Sequence, residues 1–326
     1  MVLETFDAPP PTEGLVRIAV EAAAVNFFDS LQIAGSYQVK PVLPFVPGAE
    51  VAGTVVAAPA GSAFAPGNRV LARLRQQGLL EGGYSELAET LPELTVRIPD
   101  AMPVDEAAAF FVNYQTGWFG LMRRARLQPG EVVLVHAGAG GVGSAAIQLA
   151  KAAGARVVAT AGSSEKVTLC RELGADLAID YGKEDFVDAV KTFTGGRGAD
   201  VVYDPVGGDV FDQSTKCIAF EGRIVVVGFT SGRIPVARAN HVLIKNYAVV
   251  GLHWGLYQKL APHLIDAATT ELFELYRQRK IRPHVSNRFP LEEAPKAIGE
   301  VIGRRSTGKV VLLTGGSVDR AEVGPA

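Results

Sequence analysis

The apolar residues in the first third of the chain occur in short runs beside turn signals. Such runs cover residues 15–20, 50–57 and 69–72, and the turn signals are Pro47-Gly48 and Pro66-Gly67. Short apolar runs bounded by proline and glycine are typical of strands joined by tight turns. The sequence up to about residue 110 therefore predicts a β-rich module.

From residue 132 the pattern changes, because apolar strands now alternate with helical stretches. Strands are expected over 132–136, 156–160, 177–180, 200–204, 223–227 and 247–252, and a helix over 144–153. Strands that are separated by helices form a parallel sheet with crossover connections. This region predicts a doubly wound α/β sheet of the Rossmann type.

The last part of the chain contains a helical stretch over about 254–280 and an apolar run over 310–313 that predicts one more strand. A β-rich start and a strand near the end indicate one discontinuous domain with the Rossmann-type domain inserted in it. We assign 1–111 and 257–326 to the substrate and catalytic domain, and 112–256 to the nucleotide domain. The length of 326 residues favours two hydrophobic cores over one.

Composition narrows the possible partners. Lysine plus arginine number 32 and aspartate plus glutamate 34, so the net charge of −2 offers no basic surface for nucleic acid or for a membrane. The apolar window 132–150 is interrupted by glycines, His136 and Gln148, which argues against a membrane span. Two cysteines, Cys170 and Cys217, predict buried thiols and a cytoplasmic location.

A glycine-rich loop follows the first strand of the nucleotide domain. His136-Ala137-Gly138-Ala139-Gly140-Gly141-Val142-Gly143 lies between an apolar strand and a helix. Glycines allow the backbone to approach a pyrophosphate, and the helix N-terminus supplies N–H donors. The candidate cofactor-binding residues of this loop are Gly138, Gly140, Gly141, Val142 and Gly143.

The second strand of this domain bears on cofactor choice. NAD-selective domains place an acid at its end, where the acid binds the ribose hydroxyls. Here the strand leads into Ser163 and Lys166, with no acid at its end. A hydroxyl and an ammonium group suit a 2′-phosphate, so NADP(H) is favoured. Lys166 has an alternative interpretation as a solvated helix residue.

Six motifs occur in order along the chain: Val25-Asn26-Phe27-Phe28-Asp29, Gly35-Ser36-Tyr37, Pro47-Gly48-Ala49-Glu50-Val51-Ala52-Gly53, Gly82-Gly83-Tyr84-Ser85-Glu86, the glycine loop and Ser306-Thr307-Gly308-Lys309-Val310-Val311-Leu312. Together they resemble the zinc-independent quinone oxidoreductase branch, which includes the ζ-crystallins, of the medium-chain dehydrogenase/reductase superfamily. The resemblance covers nearly the whole chain. It implies a GroES-like fold for the β-rich domain.

The resemblance also bears on metal binding. Zinc-containing relatives carry a cysteine at the position of Asn26 and a histidine at that of Ala49, together with a four-cysteine lobe that this chain lacks. Catalytic zinc needs about three protein ligands. We therefore expect no metal.

Roles for individual residues follow from the resemblance. Asn26 is expected near the nicotinamide, with Asp29 bracing it, and Tyr37 is expected to face the substrate; these three are the candidate catalytic residues. Tyr181 is expected to reach the 2′-phosphate beside Ser163 and Lys166. The resemblance leaves open which of two arginines approaches that phosphate. The remaining candidate cofactor contacts are Thr116, Gly228, Phe229 and Thr230, and the two arginines are Arg304 and Arg305.

These observations favour NADPH-dependent hydride transfer to a quinone or another α,β-unsaturated carbonyl compound. Tyr37 is the candidate proton donor. Its alternative role is only to line the pocket. Two other functions remain open: an enoyl- or acryloyl-CoA reductase, and an NADPH-binding structural or sensor protein with little turnover. The stretch 247–252 is an apolar β-type run late in the nucleotide domain. The resemblance implies a homodimer that pairs through this edge of the Rossmann sheet.

Overall fold

The computed structural model describes residues 1–38, 40–76 and 78–315. The chain forms two compact units, Met1–Val112 with Pro283–Ala326, and Asn113–Arg282. The first boundary lies within one residue of the expected one, whereas the second lies at 282/283 and not at 256/257. The helix Pro262–Arg277 belongs to the second unit, because the Gln115 amide donates to the carbonyl of Ile265 (3.2 Å) and to Oγ1 of Thr269 (2.8 Å).

Strands and helices are numbered in chain order. The strands are β1 (Val16–Val25), β2 (Glu50–Ala57), β3 (Arg69–Arg73), β4 (Leu87–Thr90), β5 (Thr95–Arg97), β6 (Val132–Val135), β7 (Arg156–Ala161), β8 (Leu177–Asp180), β9 (Ala199–Asp204), β10 (Ile218–Val226), β11 (Ala248–Gly251), β12 (Val285–Pro290) and β13 (Lys309–Leu313). The helices are α1 (Phe27–Ile33), α2 (Val104–Ala108), α3 (Phe111–Trp118), α4 (Gly141–Ala152), α5 (Ser164–Glu172), α6 (Phe186–Phe193), α7 (Gly208–Ser214), α8 (Ala239–Lys245), α9 (Gly255–Leu260), α10 (Pro262–Arg277) and α11 (Ala294–Ile302).

The first unit is built on a mainly antiparallel sheet in the order β12-β13-β1-β2-β3-β5, with β4 also paired to β1. Strand β1 is longer than the expected 15–20, because Ala22, Ala23 and Ala24 continue it to Val25. Alanine is a weak strand former, but all three residues pair with β13, and Ala22 and Ala23 pair with β2 on the other side. Pairing in the folded sheet therefore overrides local propensity.

The second unit contains a parallel sheet in the order β11-β10-β9-β6-β7-β8. Its central strands are continuous apolar runs, as strands buried on both faces must be, and every residue of β6 is buried. All six strands expected from the sequence form. The helix expected over 144–153 begins earlier, at Gly141, because the extended Gly140 acts as its N-cap.

The parallel arrangement brings the carboxyl ends of the strands to one edge of the sheet. Strand β6 lies between β9 and β7, so the connections run in opposite directions on its two sides. Ligands of open α/β sheets bind at this edge, next to the point where the strand order reverses. The glycine loop follows β6 and therefore lies at that point.

Two further expectations concern cysteines and membrane spans. Cys170 and Cys217 are both buried and unpaired, and burial raises the pKa of each thiol to about 12. Buried structural thiols are confirmed. Within residues 1–38, 40–76 and 78–315, no helix combines the length and the apolar character needed to cross a bilayer.

Candidate active site

In the first unit, a buried hydrogen-bond network begins where β1 passes into α1. Oδ2 of Asp29 accepts a hydrogen bond from the backbone N–H of Asn26 at 2.8 Å. The same oxygen accepts one from the phenol of Tyr84 at 3.0 Å. The Asp29 carboxylate therefore holds both the first turn of α1 and a side chain from a distant segment.

Two of the glycine-containing motifs pack together and bring Tyr84 to this position. The backbone N–H of Gly83 donates to Gly48 at 2.9 Å, and that of Tyr84 donates to Pro47 at 2.9 Å. Gly48 has φ +95°, and a Cβ there would lie 2.6 Å from Cδ1 of Tyr84. Glycine is required at position 48 both for its backbone angle and because the tyrosine ring occupies the space of a side chain.

The side chain of Asn26 belongs to a second part of the network. Nζ of Lys309 donates to Oδ1 of Asn26 at 2.7 Å and to Oε1 of Glu50 at 2.9 Å. Nδ2 of Asn26 donates to the same Glu50 oxygen at 3.2 Å. Because an ammonium group can only donate, its contact fixes which end of the Asn26 amide is the oxygen. The Asn26 amide is thereby held in one orientation by a buried ion pair.

Burial controls the proton equilibria of the acid and tyrosine groups here. Desolvation raises the pKa of Asp29 to about 7, against the lowering effects of its hydrogen bond from Asn26, of Lys309 and of Tyr84. Desolvation and the nearby Asp29 charge raise the pKa of Tyr37. The Tyr37 phenol is therefore protonated, and able to donate, at neutral pH. It is half-buried and stacks on Phe28 with ring centroids 5.6 Å apart.

In the second unit, close contacts within the glycine loop exclude side chains. A Cβ on Gly143 would lie 2.2 Å from the carbonyl oxygen of Ala137, and one on Gly138 would lie 2.9 Å from Sγ of Cys170. The backbone N–H of Gly138 donates to the carbonyl of Thr160 at 2.9 Å, which ties the loop to β7. The loop thus lies against the N-terminus of α4, where backbone N–H groups favour a phosphate.

His136 is the first residue of the glycine loop and follows β6 directly, and both of its ring nitrogens are hydrogen-bonded. The hydroxyl of Ser214 donates to Val210 at 2.7 Å, so its oxygen accepts from Nε2–H of His136 at 2.8 Å. Nδ1 is then the acceptor of the Thr160 hydroxyl at 3.0 Å. Burial lowers the pKa of His136 to about 3. The ring is therefore neutral, and it links the ends of β6 and β7 to α7.

The residues expected around a 2′-phosphate follow β7 and β8. Oγ of Ser163 caps α5 by accepting the backbone N–H of Lys166 at 3.3 Å. A Cβ on Gly162 would lie 2.4 Å from the phenol oxygen of Tyr181, so the tyrosine side chain lies directly over the glycine. The structure thus brings Ser163, Lys166 and Tyr181 to adjacent strand ends.

The loop that follows β10 is attached to the loop that follows β9. The N–H and the hydroxyl of Thr230 both donate to the carbonyl of Pro205 at 3.1 Å. The carbonyl of Asp204 accepts from Gly228 at 3.4 Å, and a Cβ on Gly207 would lie 2.8 Å from Cδ1 of Phe229. Gly228, Phe229 and Thr230 therefore have fixed positions at the same edge of the sheet.

The last expected positions are Thr116 and the two arginines. Thr116 is buried in α3, where a Cβ on its neighbour Gly117 would lie 2.7 Å from Leu149 of α4. Arg304 and Arg305 lie in the first unit. Arg305 donates to Glu300 at 3.0 Å and to the carbonyl of Gly299 at 3.1 Å, so it is engaged with α11, the helix that precedes it.

The sequence alone did not assign roles to Tyr84, Lys309, Glu50 or Lys183, although the first three lie within motifs that carry the family resemblance. One signal was available: Glu50 and Lys309 each begin an apolar strand, and charged residues are rarely buried unless they are paired. Their partnership spans 259 positions, so spacing along the chain does not reveal it. Lys183 donates to the hydroxyl of Ser164 at 2.6 Å, and this partner lies 19 positions away along the chain.

Similarity to known proteins agrees with this architecture. A family profile described as "Alcohol dehydrogenase GroES-like domain" matches residues 12–100, and one described as "Zinc-binding dehydrogenase" matches residues 141–270. The "Quinone oxidoreductase-like protein 2 homolog" of Nematostella vectensis is 42% identical over 303 residues, which cover 92% of this chain and 81% of that protein.

Solved structures give the same result. Escherichia coli quinone oxidoreductase complexed with NADPH is 31% identical, with a TM-score of 0.86, and the match covers 95% of this chain and 94% of that one. The CurK enoyl reductase is 30% identical, with a TM-score of 0.84 and coverage of 95% and 94%.

A GroES-like domain interrupted by a Rossmann-type domain defines a class of two-domain dehydrogenases and reductases. The chain belongs to the medium-chain dehydrogenase/reductase superfamily, among its quinone-oxidoreductase-like members. The resemblance inferred from the motifs, and the fold class, are confirmed.

The side chains do not fit the zinc ion that one profile names. In the described part of the chain, no three histidine, cysteine, aspartate or glutamate side chains are grouped so that they could hold a metal. Asn26 instead binds the ammonium group of Lys309 through its amide oxygen.

Proposed function

We propose that the protein is an NADPH-dependent reductase whose acceptor is a quinone or another α,β-unsaturated carbonyl compound. The observation that carries this proposal is the convergence of the glycine loop, Ser163, Tyr181 and Phe229 at one edge of the parallel sheet. Its relatives include a quinone oxidoreductase that was crystallised with NADPH. When bound, NADPH supplies a hydride from C4 of its nicotinamide ring.

The residues of the chain would bind the phosphate groups of the cofactor and donate a proton to the acceptor. The backbone at Gly140 and Gly143, together with the N-terminus of α4, would hold the pyrophosphate, and Ser163, Lys166 and Tyr181 would hold the 2′-phosphate. Reduction of a quinone to a hydroquinone, or of an enone to a saturated ketone, consumes one proton for each hydride. Tyr37 is the residue that we assign to donate that proton or a hydrogen bond to the acceptor oxygen.

Acceptor-dependent oxidation of NADPH tests the proposal. The purified protein is mixed with NADPH and, separately, with a simple quinone, a small enone and crotonyl-CoA, and the NADPH absorbance is followed. Saturable turnover with the quinone or the enone supports the proposal. Tight NADPH binding without turnover on any acceptor would instead identify a structural or sensor protein.

An enoyl-thioester reductase is the second candidate, and the similarity to the CurK enoyl reductase favours it. A thioester enolate is a stronger base than a hydroquinone anion, so this reaction depends more on the protonated Tyr37 phenol. A kcat/KM for crotonyl-CoA more than about tenfold above that for the quinone would assign this function, since tenfold corresponds to about 1.4 kcal/mol of transition-state stabilisation.

We also propose that the protein forms a homodimer through the free edge of β11. Strand β11 ends the parallel sheet, and the adjacent helix α8 buries none of its residues. Leu243, Ile244 and Phe220 expose large apolar side chains in this region of the second unit. Light scattering should give a dimer mass for the wild type and a monomer mass for Ile244→Lys. Ile302→Lys, which alters an exposed apolar residue of the first unit, is the control and should remain dimeric.

A further inference from the structure

A carboxylate lies at the end of β8, next to the residues expected to hold a 2′-phosphate. Asp180 is mostly buried, and its Oδ1 accepts the backbone N–H of Gly182 at 3.1 Å. Tyr181 follows it directly, with its phenol over Gly162. A negative charge at this place would repel a phosphate and would favour a cofactor that lacks one.

Lys183 offsets that charge. Its Nζ lies 3.1 Å from Oδ2 of Asp180 and donates to Oγ of Ser164 at 2.6 Å. Ser164 is the first residue of α5. The side chain of Lys183 is 68% exposed, so it is accessible to a ligand. The ammonium group thus bridges the end of β8 and the first turn of α5, the two segments from which Tyr181 and Lys166 arise.

We propose that Lys183 is a cofactor-specificity residue, which neutralises Asp180 and so permits the 2′-phosphate of NADPH to bind beside it. This inference rests on the proposed function, since it concerns the same cofactor site. The hydrogen bond from Lys183 lowers the pKa of Asp180, so this carboxylate carries its negative charge at neutral pH.

Four variants separate this role from general stabilisation. Lys183→Ala removes the cation, Asp180→Asn removes the anion and keeps an acceptor for Gly182, and the double variant restores a net local charge of zero. Lys151→Ala is the matched control. Lys151 also pairs with an aspartate, Asp176 at 3.0 Å, but Asp176 precedes β8 and so lies at the opposite edge of the sheet.

Dissociation constants for NADPH and NADH are measured by calorimetry for all four variants and the wild type. Lys183→Ala should weaken the binding of NADPH about five- to tenfold and that of NADH less than about twofold, because the uncompensated Asp180 charge repels the 2′-phosphate across a partly solvent-screened site. Asp180→Asn should tighten NADPH. The double variant should bind NADPH within about twofold of the wild type, and Lys151→Ala should change neither constant. The loss in Lys183→Ala should shrink as ionic strength rises.

The possible failures are distinguishable. If the wild type binds neither dinucleotide, the proposed function is wrong and this inference falls with it. The wild type could prefer NADPH while Lys183→Ala leaves the ratio of the two dissociation constants unchanged. In that case the proposed function stands and the role of Lys183 is wrong. A double variant that binds NADPH as weakly as Lys183→Ala would overturn the neutralisation of Asp180.

Discussion

The phenol of Tyr84 donates a hydrogen bond of 3.0 Å to Oδ2 of Asp29, a fully buried carboxyl. The other carboxyl oxygen, Oδ1, has no hydrogen-bond partner among the residues that the structure describes. An ionised carboxylate with one unpaired oxygen in a buried site is costly, which agrees with the raised pKa of Asp29. The network therefore contains a group that titrates near neutrality.

Asp29 should make the stability of the fold depend on pH. Its pKa is about 7 in the folded protein and near 3.8 without the fold. The folded state binds this proton more tightly, so the contribution of Asp29 to stability is complete below about pH 4. That contribution is lost as the pH rises to about 7, at no more than about 1.4 kcal/mol per pH unit. Urea unfolding from pH 4 to 9 should show this slope in the wild type and lose it in Asp29→Asn.

Tyr84→Phe provides the matched variant for that experiment. Since the Tyr84 hydrogen bond lowers the pKa of Asp29, its removal should extend the loss of stability to higher pH. Replacement of the exposed Asp266 by Asn should leave the wild-type slope in place. Parallel pH profiles for the wild type and Asp29→Asn would contradict the raised pKa.

Gly143→Ala should damage both the glycine loop and cofactor binding. Its Cβ would lie 2.2 Å from the carbonyl oxygen of Ala137, and backbone cannot yield as a flexible side chain does. We expect a loss of about 2–4 kcal/mol in the free energy of unfolding, together with a large loss of NADPH affinity. Gly140→Ala is the milder comparison, because its Cβ would lie 3.2 Å from the same oxygen and its φ of −83° suits any residue.

Unfolding curves and calorimetry with NADPH decide this second prediction. Gly140→Ala should unfold within about 1 kcal/mol of the wild type, a size usual for a tolerated change. Gly143→Ala with the stability and NADPH affinity of the wild type would show that the loop adapts, and its proposed role in holding the pyrophosphate would be lost.

Lys166→Ala should weaken the binding of NADPH and leave the binding of NADH nearly unchanged. Its backbone N–H is bound by the Ser163 cap, so its side chain starts from the first turn of α5 at a fixed place. An ammonium group that meets the 2′-phosphate should contribute about tenfold in affinity, a value suited to a partly exposed charge-assisted hydrogen bond. Titration of both cofactors measures this, with Lys216→Ala as an exposed lysine control. Equal weakening of the two cofactors would support the alternative that Lys166 is a solvated helix residue.

How far the sequence predicts this protein differs between the two units. The central strands of the parallel sheet were predictable because apolar runs such as Val132–Val135 are buried on both faces and carry their own signal. The second domain boundary was not, since α10 is assigned by contacts of the distant Gln115 with Ile265 and Thr269. Contacts made only in the folded state leave no periodic trace in the chain.

The same distinction applies to the candidate site. The glycine loop was recognisable because its chemistry is local to a strand, a turn and a helix. The contact of Tyr84 with Asp29 joins positions 55 residues apart, and that of Lys309 with Asn26 joins positions 283 apart. These residues lie in recognisable sequence motifs, but only the three-dimensional structure shows which of them contact each other.

Tyr37→Phe tests the assignment of the proton donor. The substitution keeps the ring that stacks on Phe28 and removes only the hydroxyl, so the fold and the NADPH affinity should not change. Burial and the Asp29 charge raise the pKa of Tyr37, so the phenol carries its proton throughout the neutral range. If it supplies that proton or a hydrogen bond to the acceptor oxygen, kcat on an enone or an enoyl thioester should fall about 10²-fold or more. Tyr257→Phe, which removes a tyrosine hydroxyl in the second unit, is the control and should keep wild-type turnover. Loss of an acid catalyst typically lowers kcat by about 10²-fold. If kcat of Tyr37→Phe for the best acceptor instead stays within about threefold of the wild-type value, Tyr37 only lines the pocket and water supplies the proton.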